Sequence, residues 1–279
     1  MDSIGTLIEG FLVRYSASTA RAYGEDLSLY LKYSEEAGVD PLDADRPHID
    51  GFARWQEERG NRPSTIARRM SAIRQFYKVL HRDGVLTSDP ARDAVVPRVY
   101  RDRSESLYID AEAMRAFIEA AREESPDVYV LITLMLGLGL RVSEACSTNV
   151  EQFRSETLPI KGKGGRHEAM PLPPEIVKVV MSTGRDSGPV AVRKDGNRMD
   201  RRTAYRLVKK VAAKAGVEDA SPHDLRAAYI TAALDEGLDI YKVQDMARHA
   251  SPATTELYDR ARRRRMNDGN AVVAGLLGL

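Results

Sequence analysis

The stretch 126-PDVYVLITLMLGLGLRVSEACS-147 decides how the chain must fold. Its apolar residues do not keep to one stripe. No charge interrupts the run between Asp127 and Arg141. A helix that is apolar all round belongs in the middle of a domain, buried on all sides. The spacing predicts helix through this stretch, and so a core centred on it. Arg141 then stands at the edge of that core, directly after the apolar run and close to Gly137 and Gly139, and a cation in such a place needs an anionic partner. Glu144 is one candidate, and a bound phosphate is another.

Working outward, the residues on the N-terminal side read as a separate unit. Apolar residues recur at helical spacing in 6-TLIEGFLVRY-15, 18-STARAYGEDLSLYLKYSEEAG-38, 47-PHIDGFARWQEER-59 and 64-STIARRMSAIRQFYKVLHRDG-84. Gly38 and Gly60 suit helix ends. The expected architecture is a four-helix domain over residues 1–86. The fourth helix carries Ile66, Met70, Ile73, Phe76, Tyr77 and Leu80 on one stripe and arginines on the other. Residues 87–105, TSDPARDAVVPRVYRDRSE, lose the periodicity and carry two prolines, which reads as an interdomain linker.

Beyond the linker, residues 106–279 read as a mixed α+β domain. Helices are expected at 110–123, 173–181, 200–215, 222–235, 239–248 and 252–265. The segment 157-TLPIKGKGGRHEAMPL-172 reads as a β-hairpin with a glycine-rich turn. The fold class is therefore mainly α with one small β-hairpin. The tail 271-AVVAGLLGL-279 is apolar and too short for a core of its own, so it requires a docking site.

Composition narrows the function. The chain has 279 residues, 43% hydrophobic and 30% charged, with a net charge of +1. No apolar run approaches the roughly 18 residues of a membrane span, and MDSIGTLIEGF does not read as a signal peptide. The one cysteine, Cys146, excludes an intramolecular disulfide framework and fits a reducing cytoplasm. Basic residues nevertheless cluster. Arg62, Arg68, Arg69, Arg74 and Lys78 stand in 62–78 without an acid, and Arg201 and Arg202 lie in a basic stretch over 193–214. Five arginines follow between Arg260 and Arg265. Solvated helix faces would explain any one run; three on a near-neutral chain point to a polyanion.

The candidate chemistry lies in a short set. In 221-SPHDLRAAYIT-231, Ser221 and Pro222 read as a helix start, placing His223 and Arg226 on one face near the N–H groups that attract phosphate. The ordinary alternative is a helix cap with a surface arginine. Lys163 sits in 161-KGKGGR-166, at the expected hairpin tip, and the spacing does not match a nucleotide-binding phosphate loop. In 248-RHASPATTELYDRARRRR-265, His249 precedes a Ser-Pro helix start, and Tyr258 follows about two turns in. Neither a zinc signature nor a carboxylate cluster for paired magnesium ions is present, so no metal or cofactor is expected, with a zinc site from His167, His223 and His249 as the minor alternative. Two arginines, two histidines, a lysine and a tyrosine suit phosphate chemistry: fixed charge on the non-bridging oxygens, a nucleophile, and an acid for the departing oxygen.

The order GLRVSEA, GKGGR, SPHDLR and RHASPATTELY resembles the tyrosine recombinase, or phage integrase, family. The resemblance assigns catalytic roles to Arg141, Lys163, His223, Arg226 and His249, and the nucleophile to Tyr258. It extends to the first domain, which is similar to the family's core-site-binding domain. It implies double-stranded DNA core sites as partner and four protomers on two sites, with the C-terminal tail packed on a neighbour. A directionality factor or second recombinase would be a further partner. A simple integrase or Xer-like resolvase without an arm-binding domain is the expectation. A DNA-binding protein that keeps the fold without the chemistry is the alternative, and a type IB topoisomerase ranks after it. Two departures stand out: Arg248 where the family often has glycine, and Ala227-Ala228 where it often has His-Thr.

Overall fold

Capping residues and prolines open the helices where the sequence supplies them. A computed structural model describes residues 3–97, 108–161, 167–249 and 251–266, and the chain divides into two units, Met1–Arg101 and Asp102–Leu279. In the first, α1 (Ile4–Leu12) starts at Ser3, whose hydroxyl accepts the Thr6 N–H, and α2 (Ala17–Ala37) ends on Gly38 at φ 68°. Asp45 caps α3 (Arg46–Glu58) by accepting the His48 N–H at 2.9 Å, and Pro63 opens α4 (Pro63–Arg82). Proline suits that position because its missing N–H is one the first turn leaves unbonded anyway.

The helices close around Phe11, Leu27, Tyr30, Ile49, Phe52, Ile66, Met70, Ile73, Phe76 and Tyr77. Each large side chain so buried contributes about 1.5–3 kcal/mol. The two buried tyrosines satisfy each other: Tyr77 donates to the Pro41 carbonyl at 2.7 Å, which leaves Tyr30 to donate to Tyr77 at 2.6 Å. The first part of the stretch read as linker belongs to this unit. Ala91 and Ala94 are buried in its core, and the Val95 N–H donates to Asp50 at 2.7 Å. Small residues let that strand of chain lie flat on the helices despite its prolines and charges.

The second unit contains α5 (Ala111–Glu124), α6 (Pro126–Gly137), α7 (Val142–Ser147), a 3-10 turn (Val150–Arg154), β1 (Thr157–Lys161), β2 (His167–Pro171), α8 (Pro174–Met181), α9 (Arg201–Lys214), α10 (Pro222–Asp235), α11 (Ile240–Ala247) and α12 (Pro252–Met266). The two strands pair antiparallel, with Leu158 opposite Met170 and Ile160 opposite Glu168. As the sequence predicts, α6 is the central helix, buried from Val130 through Leu136. The helix expected to run through 126–147 is, however, interrupted between Gly137 and Val142. Gly139 causes the break: it takes φ +58°, and a Cβ there would lie 2.3 Å from the Tyr229 ring. Among the described residues no helix is long and apolar enough to cross a membrane.

Helix α10 is buried on two sides. Leu225 and Ala228 join the main core around α6, whereas Ala227, Ile230 and Leu234 join a smaller cluster with Val243, Ala247 and Tyr258. A helix between two cores has no polar face to spare, so any charge it carries inward is conspicuous.

Candidate functional site

The charge α10 carries inward is Arg226, which is only 3% exposed. The N-terminal turn that presents it is closed by Asp224, which accepts from both the Ser221 N–H at 2.9 Å and the Ser221 hydroxyl at 2.6 Å. The alternative of a surface arginine is thereby corrected: apolar packing on both sides of α10 takes the side chain inward. Its Nη1 donates to the Gly139 carbonyl and its Nη2 to the Ala247 carbonyl. Both partners are neutral dipoles. Burial, and then the charges of Arg141 and Arg248, push its pKa down to about 10, which still leaves it a cation at neutral pH.

Arg141 caps α7. Its backbone N–H donates to Glu144 Oε2 at 2.8 Å and its Nη1 to Oε1 at 2.7 Å, so Glu144 is the structural partner the sequence offered. The Arg141 side chain stays 42% exposed. Glu144 has a second cation: Arg248 Nη2 donates to Oε2 at 2.8 Å, from a side chain 6% exposed. Burial pushes the Glu144 carboxyl up, but the Arg141 N–H and the charges of Arg248 and Arg141 outweigh it and hold it below the usual carboxylate range.

Tyr258 lies on α12 and is 5% exposed. Its hydroxyl is 3.4 Å from His223 Nε2, at the long end of hydrogen bonding. The His249 ring stacks on the Tyr258 ring at 6.0 Å between centroids and 14° between planes. His249 Nδ1 lies 2.9 Å from the hydroxyl of fully buried Thr255, which orients the ring. Arg141, His223, Arg226, His249 and Tyr258 are thus linked through Glu144, Arg248, Gly139 and Ala247 into one contiguous constellation. Lys163 lies outside the described residues. Among the described residues no group of three or more His, Cys, Asp or Glu side chains is placed to hold a metal ion.

The basic candidates divide. Arg62, Lys78, Arg201 and Arg202 stand exposed, the last two in the first turn of α9. Others are tied into the first unit. Arg68 forms a bidentate pair with buried Asp26, Arg69 donates to Gln56 and Asn61 at 3.1 and 3.0 Å, and Arg74 donates to the Arg92 carbonyl at 2.7 Å. Sequence reasoning did not find the shared carboxylate of Glu144, because its two arginines lie far apart along the chain. The available signal was Arg248 itself, an arginine at a position that suits glycine.

Comparison with known proteins fits this arrangement. Residues 108–265 match the phage integrase family and residues 12–84 its N-terminal SAM-like domain. The chain is 31% identical to the tyrosine recombinase XerD of Caulobacter vibrioides, over 86% of this chain and 85% of that one. It is 28% identical to XerC of Thermodesulfovibrio yellowstonii, over 87% and 85%. Among solved structures, the XerH recombinase in a post-cleavage complex with its difH substrate shares the fold with a TM-score of 0.76 at 17% identity, covering 91% of this chain and 79% of that one. A lambda integrase tetramer bound to a Holliday junction does so with a TM-score of 0.71 at 12% identity, covering 90% and 79%. The chain belongs to the phage integrase family and is a site-specific tyrosine recombinase, an enzyme that cleaves and rejoins DNA.

Proposed function

We propose that Tyr258 is the nucleophile of the cleavage step. The observation that carries this is its placement: a nearly buried phenol, 3.4 Å from His223 Nε2 and stacked on His249, beside a buried arginine that no carboxylate among the described residues pairs with directly. Tyr258 Oη attacks the phosphorus while the bond to O5′ breaks, leaving a 3′-phosphotyrosine and a free 5′-hydroxyl. The phenol proton passes to His223, and Lys163 supplies a proton to the departing O5′. A phenol of ordinary pKa, about 10, ionises more readily in the positive field of Arg226 and Arg141. The two guanidinium forks hold the non-bridging oxygens through the transition state. The covalent bond stores the energy of the broken one, so rejoining to a partner duplex's 5′-hydroxyl needs no ATP.

The substrate in this reading is double-stranded DNA carrying core sites, bound in part through Arg62, Lys78, Arg201 and Arg202. A lambda integrase of the same fold is a tetramer on a Holliday junction, which supports four protomers; the 271–279 tail docking on a neighbour, and a second recombinase or directionality factor as a further partner, belong to the same proposal. The test is covalent capture on nicked duplexes from the chain's own genomic neighbourhood. The unaltered protein is expected to leave denaturation-resistant DNA on Tyr258, and Tyr258→Phe to bind the same duplex without attaching. Binding without attachment by both proteins would favour a DNA-binding protein that keeps only the fold.

A further inference from the structure

Arg248 ends α11 in the left-handed conformation, φ 53° and ψ 48°. A side chain there costs about 1 kcal/mol relative to glycine, because Cβ crowds the following carbonyl. The side chain also gives up water, being 6% exposed. A strained and buried arginine persists where its surroundings fix it. Those surroundings come from three segments. Nη2 donates to Glu144 Oε2 at 2.8 Å, and Nη1 lies 3.4 Å from the Met246 carbonyl and 3.7 Å from Met170 Sδ on β2.

We infer that Arg248 is a positioning residue for Arg141: by occupying Glu144 Oε2 it stops the carboxylate from closing on the Arg141 guanidinium with both oxygens. This rests on the reading of Arg141 as a phosphate ligand. Glu144 meets that guanidinium through Oε1 alone, while Oε2 is taken by Arg248 and by the Arg141 N–H. Carboxylate and guanidinium otherwise pair edge to edge through two parallel hydrogen bonds. Such a pair would cover the edge a phosphate needs. With Arg248 in place, Arg141 keeps donors free and stays 42% exposed.

Charge leads to the same result. Arg141, Arg226 and Arg248 against Glu144 leave a net of two positive charges around the site, Lys163 aside. A phosphodiester brings one negative charge, and an attacking phenolate brings a second. Without Arg248 the net of the arginines and Glu144 falls to one, so the second negative charge, which develops as the phenol proton moves to His223, meets a weaker fixed positive field. The loss should therefore fall on the rate of cleavage and leave affinity nearly untouched.

The experiment measures single-turnover adduct formation at saturating protein, on a nicked duplex that the unaltered protein captures. Affinity is read by gel shift and folding by thermal melting. Arg248→Gly is expected to slow cleavage at least about 10-fold, the scale of weakening one charge-stabilising contact, with affinity within about 3-fold. Arg248→Lys should recover part of the rate, and Arg248→Met, of similar length without charge, should not. Cleavage by Arg248→Gly within about 2-fold of the unaltered protein overturns the inference. If Arg248→Gly does not fold, equal rates for the Lys and Met variants overturn it. Absence of any adduct with the unaltered protein instead overturns the reading of Tyr258, and this inference with it.

Discussion

Two arginines, one in each unit, meet the same problem with opposite results. Arg68 on α4 reaches Asp26, a carboxylate only 3% exposed, and binds both of its oxygens from a side chain that is itself half in water. Arg226 on α10 is buried, yet its hydrogen bonds go to two backbone carbonyls. The first pair is neutral and complete. The second is geometrically anchored but has no counter-charge of its own, and its pKa is depressed first by burial and then by the charges of Arg141 and Arg248. A basic residue inside a fold is therefore no guide to ligand binding until its counter-charge is found. Where a carboxylate closes the fork the arginine holds structure together; where dipoles orient it without neutralising it, an anion is wanted.

The sharpest way to break this comparison is Arg226→Lys. One ammonium cannot span two carbonyls and also bind two phosphate oxygens, so single-turnover adduct formation should fall by about 100-fold or more while the melting curve stays cooperative. Near-normal turnover would reduce Arg226 to a second Arg68. Gly139→Ala tests the anchor in place of the charge. The added Cβ meets Tyr229 at 2.3 Å in a backbone at φ +58°, and denaturant unfolding should report a loss of about 2 kcal/mol or more. The smallest effect is expected from Asp26→Asn, which leaves Arg68 exposed enough to find water. A loss of about 1 kcal/mol by thermal melting is expected, with the rate of cleavage on captured duplex unchanged. A fall in that rate would mean the first unit's arginines do more than hold helices.

The helices were legible because capping and periodicity act locally. Ser221-Pro222 marks the start of α10, and Pro222–Asp235 is the span the sequence predicts. The order of candidate residues was legible too. What was not legible depends on contacts between distant segments. Nothing near Arg226 announces that α10 is packed on both sides, since its inward carbonyl partner at Gly139 lies 87 residues away. Nor does 126–147 reveal its break, because Gly139 turns there to fit Tyr229 and to offer that carbonyl. The Glu144–Arg248 pair spans 104 residues. The fold of 87–97 onto the first unit was hidden by prolines and charges that ordinarily signal a free connection.

One feature of the second unit bears on how the chemistry is restrained. Tyr258 does not sit in the main core: its helix packs on α10 and α11 through the small satellite cluster of Ala227, Ile230, Leu234, Val243 and Ala247. Segments held by few apolar contacts open at a fraction of the free energy of global unfolding. A helix so held is expected to open while α6 and the body around it stay folded, carrying the proposed nucleophile with it. In an enzyme that cleaves and rejoins DNA, that would be a safety catch: the blade retracts on a spring weaker than the handle.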